Sequence, residues 1–230
     1  MNRTLLIPLL VGTLVNVTAR GVRGQGSSAP SATSAVSNAR IIDGVAARIE
    51  DDIITESEVR ELAAFQLLVD GRAKPRPELI RELADQWIAG GEARVANYPQ
   101  PSEEDVKRVF EQLVAKFPSP EEFKKRATDV GLTEADVRRL LARQLYLSRF
   151  LDYRFRAAAQ VDQKQIEAYY NNELVPQLES QNQPVPSLED VQDAIQEVLV
   201  QRAINDRATA WLDETRARLK IDLIAGGEQP

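Results

Sequence analysis

The run from Val45 to Val59 constrains this chain more than any other stretch. Val45, Ala47 and Ile49 alternate with Ala46, Arg48 and Glu50, the period of a half-buried strand. Asp51-Asp52 is placed for a turn, and the β-branched pair Ile53-Ile54 for a short return strand. Thr55-Glu56-Ser57-Glu58 then fits a capping box: the Thr55 hydroxyl accepts from the Glu58 backbone while the Glu58 carboxylate reaches back. The helix that follows carries Val59, Leu62, Ala63, Phe65, Gln66 and Val69 on one mostly apolar face. A hairpin running straight into a capped helix is therefore the expected start of the fold.

Beyond that unit the pattern is nearly all helical. Helices are expected near 57–70, 78–97, 102–117, 120–130, 133–159, 163–174 and 187–219. The breaks fall at Lys74-Pro75-Arg76-Pro77, Tyr98-Pro99-Gln100-Pro101, Phe117-Pro118-Ser119-Pro120 and Gly131, since Pro and Gly punctuate helices. Ser102, Ser119, Thr133 and Ser187 each precede acidic residues, the cap-then-acid signature of a helix start. Gly90-Gly91 interrupts the second helix, at a cost of roughly 2 kcal/mol relative to alanines, and is read as a close helix crossing. The last helix carries Leu188, Val191, Ile195, Val198, Leu199, Ile204, Ala208, Trp211, Leu212 and Leu219, and ends in a short strand, Lys220–Ile224, before Gly226-Gly227. Trp87, Phe110, Phe123, Leu140, Leu141, Leu145, Ile195 and Trp211 are assigned to the core.

These features together resemble the SurA-like family of periplasmic chaperones, related to the PpiC and PrsA groups. The opening resembles the family's valine-alanine strand, turn, short strand and E-S-E-V helix. Ser102 to Leu151 resembles its P-S-E-E-x-V, S-P-E-E-F and G-L-T-E-x-D run, and Ser187 to Ile224 its closing long helix, W-L pair and short strand. The resemblance covers about residues 43–174 and 186–224. It implies a mainly α fold: a helical SurA-type chaperone module with a small N-terminal β-hairpin closed by a C-terminal β-strand. Relatives usually carry parvulin-type prolyl isomerase domains, each of about 90–100 residues, before the closing helix. Here only the polar stretch 175–186 stands there, read as a linker. Parvulin sites usually use a pair of histidines, and this chain has none. The resemblance thus implies an ATP-independent holdase without isomerase activity. Its partners would be unfolded or partly folded exported proteins, and it would take part in outer-membrane protein assembly.

The zero counts act independently of any resemblance. With no His and no Cys, Ser-His-Asp and Cys-His triads, thiolate nucleophiles, zinc ribbons and disulfides are impossible. No phosphate-cradling glycine loop occurs. The acidic pairs Glu103-Glu104-Asp105, Glu121-Glu122 and Glu189-Asp190 sit at expected helix starts, where acids favour the dipole. The expectation is no enzyme, no cofactor and no metal. A net charge of −6 argues against nucleic acid, which needs a basic face, and against charge-driven binding to anionic membranes.

Arg3 followed by the apolar run Leu5–Val15 and the small residues Val17-Thr18-Ala19, with Gly24 a second candidate site, reads as a signal peptide over 1–24. The apolar run is short for a span; an uncleaved anchor is the alternative to a cleaved leader. Residues 25–40, rich in Ser and Ala, read as a disordered tether, and 41–224 as a single domain. The expected location is periplasmic, with no stable membrane insertion after cleavage. Aromatics outside the obvious core stripes, Tyr98, Phe117, Tyr153, Tyr169 and Tyr170, are the candidates for client contact. Two other readings stay open: a non-catalytic envelope scaffold or adaptor with one partner, and a prolyl isomerase by family membership.

Overall fold

The N-terminal hairpin forms where its alternation places it. Residues 43–224 are described in the computed structural model; the expected leader, tether and terminal Gly-Gly stop lie outside the described residues. Strand β1 (Val45–Ile49) pairs antiparallel with β2 (Asp52–Thr55). Ile49 stands opposite Asp52, so the turn is Glu50-Asp51, one residue earlier than the sequence suggested. Glu50 takes a left-handed φ of 50°, and Asp52 stays in the strand, its carboxylate accepting from the Trp87 indole N–H at 2.8 Å. A register shift between Val45 and Ala47 lets Ala46, Ala47 and Ile49 all be fully buried, which strict alternation would forbid.

The C-terminal strand β3 (Ile221–Leu223) adds antiparallel to the other edge of β1, giving the order β2-β1-β3. Ala47 faces Leu223, Arg48 faces Asp222 and Ile49 faces Ile221. The two ends of the described chain therefore meet in one small sheet, and the rest of the chain is mainly helical.

Helix α1 (Glu56–Asp70) starts on the capping box at Thr55 and ends on Gly71, which is left-handed at φ 70°, a conformation that favours glycine. Helix α2 (Arg76–Val95) follows a turn stitched by a buried amide: Lys74 N–H donates to Gln66 Oε1 at 3.0 Å, and Gln66 Nε2 donates to Glu82. Helices α3 (Glu103–Val114), α4 (Pro120–Asp129) and α5 (Glu134–Phe155) start on Ser102, Ser119 and Thr133, each side chain accepting from the backbone N–H three residues on. Helix α5 ends before a short 3-10 turn at Arg156–Ala158 rather than running to Ala159. Helix α6 (Gln163–Tyr169) passes through a π turn, Tyr170–Leu174, into α7 (Val175–Ser180). Helix α8 (Leu188–Arg218) is capped by Ser187.

The expected linker at 175–186 is thus helical in its first half, and only Gln181–Pro186 forms a loop. Pro176 sits in the first turn of α7, where its missing N–H matters least. The Val175 N–H reaches back five residues to the Tyr170 carbonyl, so the chain stays helical across the proline.

Three apolar clusters hold the element order together. Ala46, Ala47, Ile49 and Ile54 pack on Val59 and Leu62 of α1 and on Leu79, Ile80, Leu83 and Ala84 of α2. Phe65 and Leu68 meet Phe110, Leu113, Phe123, Ala127, Val137 and Leu141. Ala89 and Ala93 meet Tyr146, Leu147, Phe150, Leu151 and Ala208. Gly90 belongs to this last crossing: a Cβ there would lie 3.7 Å from Leu147 Cδ2. Gly91 faces open space, so only the first glycine marks the crossing. Among the residues assigned to the core, Phe110, Phe123, Leu141 and Ile195 are buried, whereas Trp87, Leu140, Leu145 and Trp211 are half-buried. Trp87 and Trp211 lie partly open because each ring is held against a polar partner, Asp52 for Trp87 and the Arg154 guanidinium for Trp211.

Candidate functional site

The five aromatics singled out from the sequence fall in three separate places. Tyr98 and Tyr153 come together; Phe117, Tyr169 and Tyr170 do not join them. The first pair is set by the end of α2. Ala96 N–H donates to the Glu92 carbonyl, Asn97 turns left-handed at φ 51°, and Tyr98 N–H returns to the Ala93 carbonyl. That wrap lays the Tyr98 ring along α5, with its hydroxyl donating to the Arg149 carbonyl at 3.1 Å. The ring stands 6.0 Å from Tyr146, 5.7 Å from Phe150 and 5.4 Å from Tyr153, centroid to centroid. Tyr146 and Phe150 are buried beneath it, while Tyr153 is 68 % exposed.

Charge rims this aromatic shelf. Tyr98, Arg149, Asp152, Tyr153, Arg156 and Ala157 line one shallow open cleft. Arg149 donates to Asp105 at 2.8 Å, and that bond, with one from Ser102, holds the Asp105 carboxyl well below the usual carboxylate range. Arg156 bridges Asp152 and Glu197, each at 2.8 Å, and Gln201 Nε2 donates to both carboxylates. The Arg156 bond, followed by the Gln201 bond, lowers the Glu197 carboxyl to about 2. These guanidiniums are held in place, so the shelf presents one free aromatic face between fixed charges. Such a surface can stack aromatic or apolar side chains and face a guanidinium or carboxylate beside them.

Phe117 packs edge-on against Phe123 at 5.2 Å and borders a separate groove with Leu67, Leu113, Pro118 and Val130. The Arg202 guanidinium stands 4.8 Å from the centre of the Tyr169 ring, and Arg202 pairs with Glu173 at 2.8 Å. The Tyr170 hydroxyl donates to the Pro186 carbonyl at 2.7 Å. Tyr169 therefore ties the end of α6 to α8, and Tyr170 ties the π turn after it to the loop before α8.

Sequence reasoning missed Leu67, which is 45 % exposed, and Val95, which is 80 % exposed. Leu67-Leu68-Val69 offered a signal, because three consecutive apolar residues exceed what one helix stripe can cover. Val198, placed in the buried stripe of α8, is 41 % exposed, since the stripe is narrower there than its sequence pattern. Among the described residues, no group of three or more acidic side chains is arranged to hold a metal ion, and no helix is long and apolar enough to cross a membrane. Buried side-chain polar atoms all have partners among the described residues. No protein-family model matches this chain, and no curated protein matches it significantly.

Proposed function

We propose that this chain is an ATP-independent holdase of the SurA-like type, acting in the periplasm on unfolded or partly folded exported proteins and lacking a prolyl isomerase insert. The observation that carries the reading is the pairing of β3 with β1. It closes hairpin and terminal helix into one module with only Gln181–Pro186 as loop where relatives of that family would hold a catalytic domain. The client surface in this reading is the shelf of Tyr98 and Tyr153. Unfolded β-barrel strands present alternating apolar and aromatic side chains, and an exposed ring with a charged rim would cover one such side chain at a time. Weak, adaptable contact suits release without an energy source.

The test is to dilute an unfolded outer-membrane β-barrel protein into buffer and follow light scattering against added chain beginning at residue 25. Suppression near stoichiometric ratios without ATP is expected. Absence of suppression by a well-folded sample would favour the scaffold that binds a single partner. In a peptide assay no acceleration of prolyl isomerisation, itself a step of tens of seconds, is expected; enzyme-like turnover would overturn the reading.

A further inference from the structure

The outer edge of β3 is paired with no other strand among the described residues. Glu50 N–H donates to the Lys220 carbonyl, and Ile224 N–H to the Ala46 carbonyl. In an antiparallel ladder hydrogen-bonded and non-bonded pairs alternate, so Lys220, Asp222 and Ile224 turn their backbone groups toward β1. Ile221 and Leu223 turn theirs outward, and among the described residues those groups meet no partner. Leu223 also lies on the same face as the fully buried Ala47, its cross-strand neighbour, yet is 62 % exposed. An apolar side chain on the core face beside unpaired backbone groups is an unfinished sheet edge.

We propose that this edge pairs with β3 of a second copy of the chain, joining two three-stranded sheets across a two-fold axis at Ile221. Charge selects the occupant and the register. With Ile221 opposite Ile221 of the second copy, Lys220 stands opposite Asp222 in both directions. On the solvent face this extends a row already begun by Arg48 opposite Asp222, so that opposite charges alternate across the junction. On the other face Leu223 meets Leu219 of the second copy, which covers it. Leu219 is already extended, at φ −89° and ψ 147°, so no rearrangement of the helix end is needed. Ile221 both donates to and accepts from its counterpart, and the Leu223 N–H reaches the Leu219 carbonyl. Sliding by one residue to centre on Asp222 would set two carboxylates face to face, which is destabilising. This pairing uses a different surface from the aromatic shelf and does not depend on the proposed chaperone role.

A contact this short is weak, so the association is read by sedimentation velocity of the full chain over a series from micromolar to near-millimolar concentration. The wild type is expected to shift reversibly from monomer to dimer. Leu223→Pro removes an N–H that bonds nothing among the described residues, and proline is tolerated on an edge strand; this variant is expected to melt like the wild type and remain monomeric. Should it fail to fold, Leu223→Lys leaves the backbone intact and sets a charge on the edge, with the same expectation. A wild type monomeric at every concentration, or a dimer that persists in either folded variant, would overturn the proposal. So would a monomer whose Leu223 amide is protected from hydrogen exchange only when an unfolded protein is added, which would give the edge to a client strand.

Discussion

Asp85 is the buried carboxylate among the described residues, and Arg216 is its partner. Asp85 is 6 % exposed and its carboxylate is held by Arg216 of α8, which also contacts Asp213; Arg81 pairs with Asp213 at 2.7 Å. Burial pushes the Asp85 carboxyl up to about 6, against the pull of Arg216 and Arg81. Since the folded value lies above the unfolded one, the folded state binds the proton more tightly between about pH 4 and pH 6. The contribution of Asp85 to stability is therefore greatest in acid and falls as pH rises through that window, by on the order of 1–3 kcal/mol. Urea midpoints of wild type and Asp85→Asn from pH 4 to pH 7.5 measure it: the gap should shift in favour of the wild type on acidification. Arg216→Ala should cost about 3 kcal/mol or more near neutral pH, where it leaves a buried carboxylate unpaired, and less near pH 4. At the shelf, Tyr153→Ala should weaken suppression of client aggregation with little change in melting temperature, because that ring is mostly in solvent. Loss of suppression only in step with loss of folding would assign Tyr153 to structure instead.

Among the elements, α2 and its flanks combine local signals with tertiary ones. The glycine pair looked like one feature in the sequence, but the two positions differ. Gly91 has open space where a Cβ would sit, so Gly91→Ala should raise stability by about 1 kcal/mol through helix propensity alone, as read from denaturant midpoints. The cap of α1 is fully local: Thr55 and Glu58 satisfy each other's backbone N–H groups at 3.2 and 2.9 Å. Side-chain caps were readable at all five positions where a Ser or Thr preceded an acid three residues on, because they need only neighbours in sequence; the bond is reciprocated at Thr55, Ser102 and Thr133, but not at Ser119 or Ser187. The end of α2, the π turn before Pro176 and the position of the hairpin turn were not readable. Each is fixed by a distant partner: α5 under Tyr98, α8 at Tyr169 with the Pro186 carbonyl at Tyr170, and Trp87 at Asp52.

For the whole molecule, the sheet is the joint between the two ends of the described chain. Removal of residues 220–230 would take away Ile221 from the first cluster and the Ile224 carbonyl to which Arg76 donates at 3.2 Å. The entire domain is expected to melt at a lower temperature, in one cooperative step, when followed by circular dichroism. An unchanged melting temperature would show that β3 is an appendage. The aromatic candidates were legible one by one as large side chains outside the stripes, but their grouping was not. Tyr98 and Tyr153 lie far apart in the chain and meet because α2 and α5 cross at Gly90 and Leu147.

What the amino-acid sequence determined by itself was the local grammar: the hairpin, the capped helix starts, the predominance of helix, and the chemistries ruled out by the absence of histidine and cysteine. These follow from period, capping and composition, which act over a few residues. The tertiary structure alone decided which strand lies at the centre of the sheet and which aromatics share a face. It also decided that the Asp85 carboxylate is buried against the Arg216 guanidinium, from the far end of the described chain. Those outcomes depend on burial and on pairing between remote segments, and burial is a property of the packed molecule.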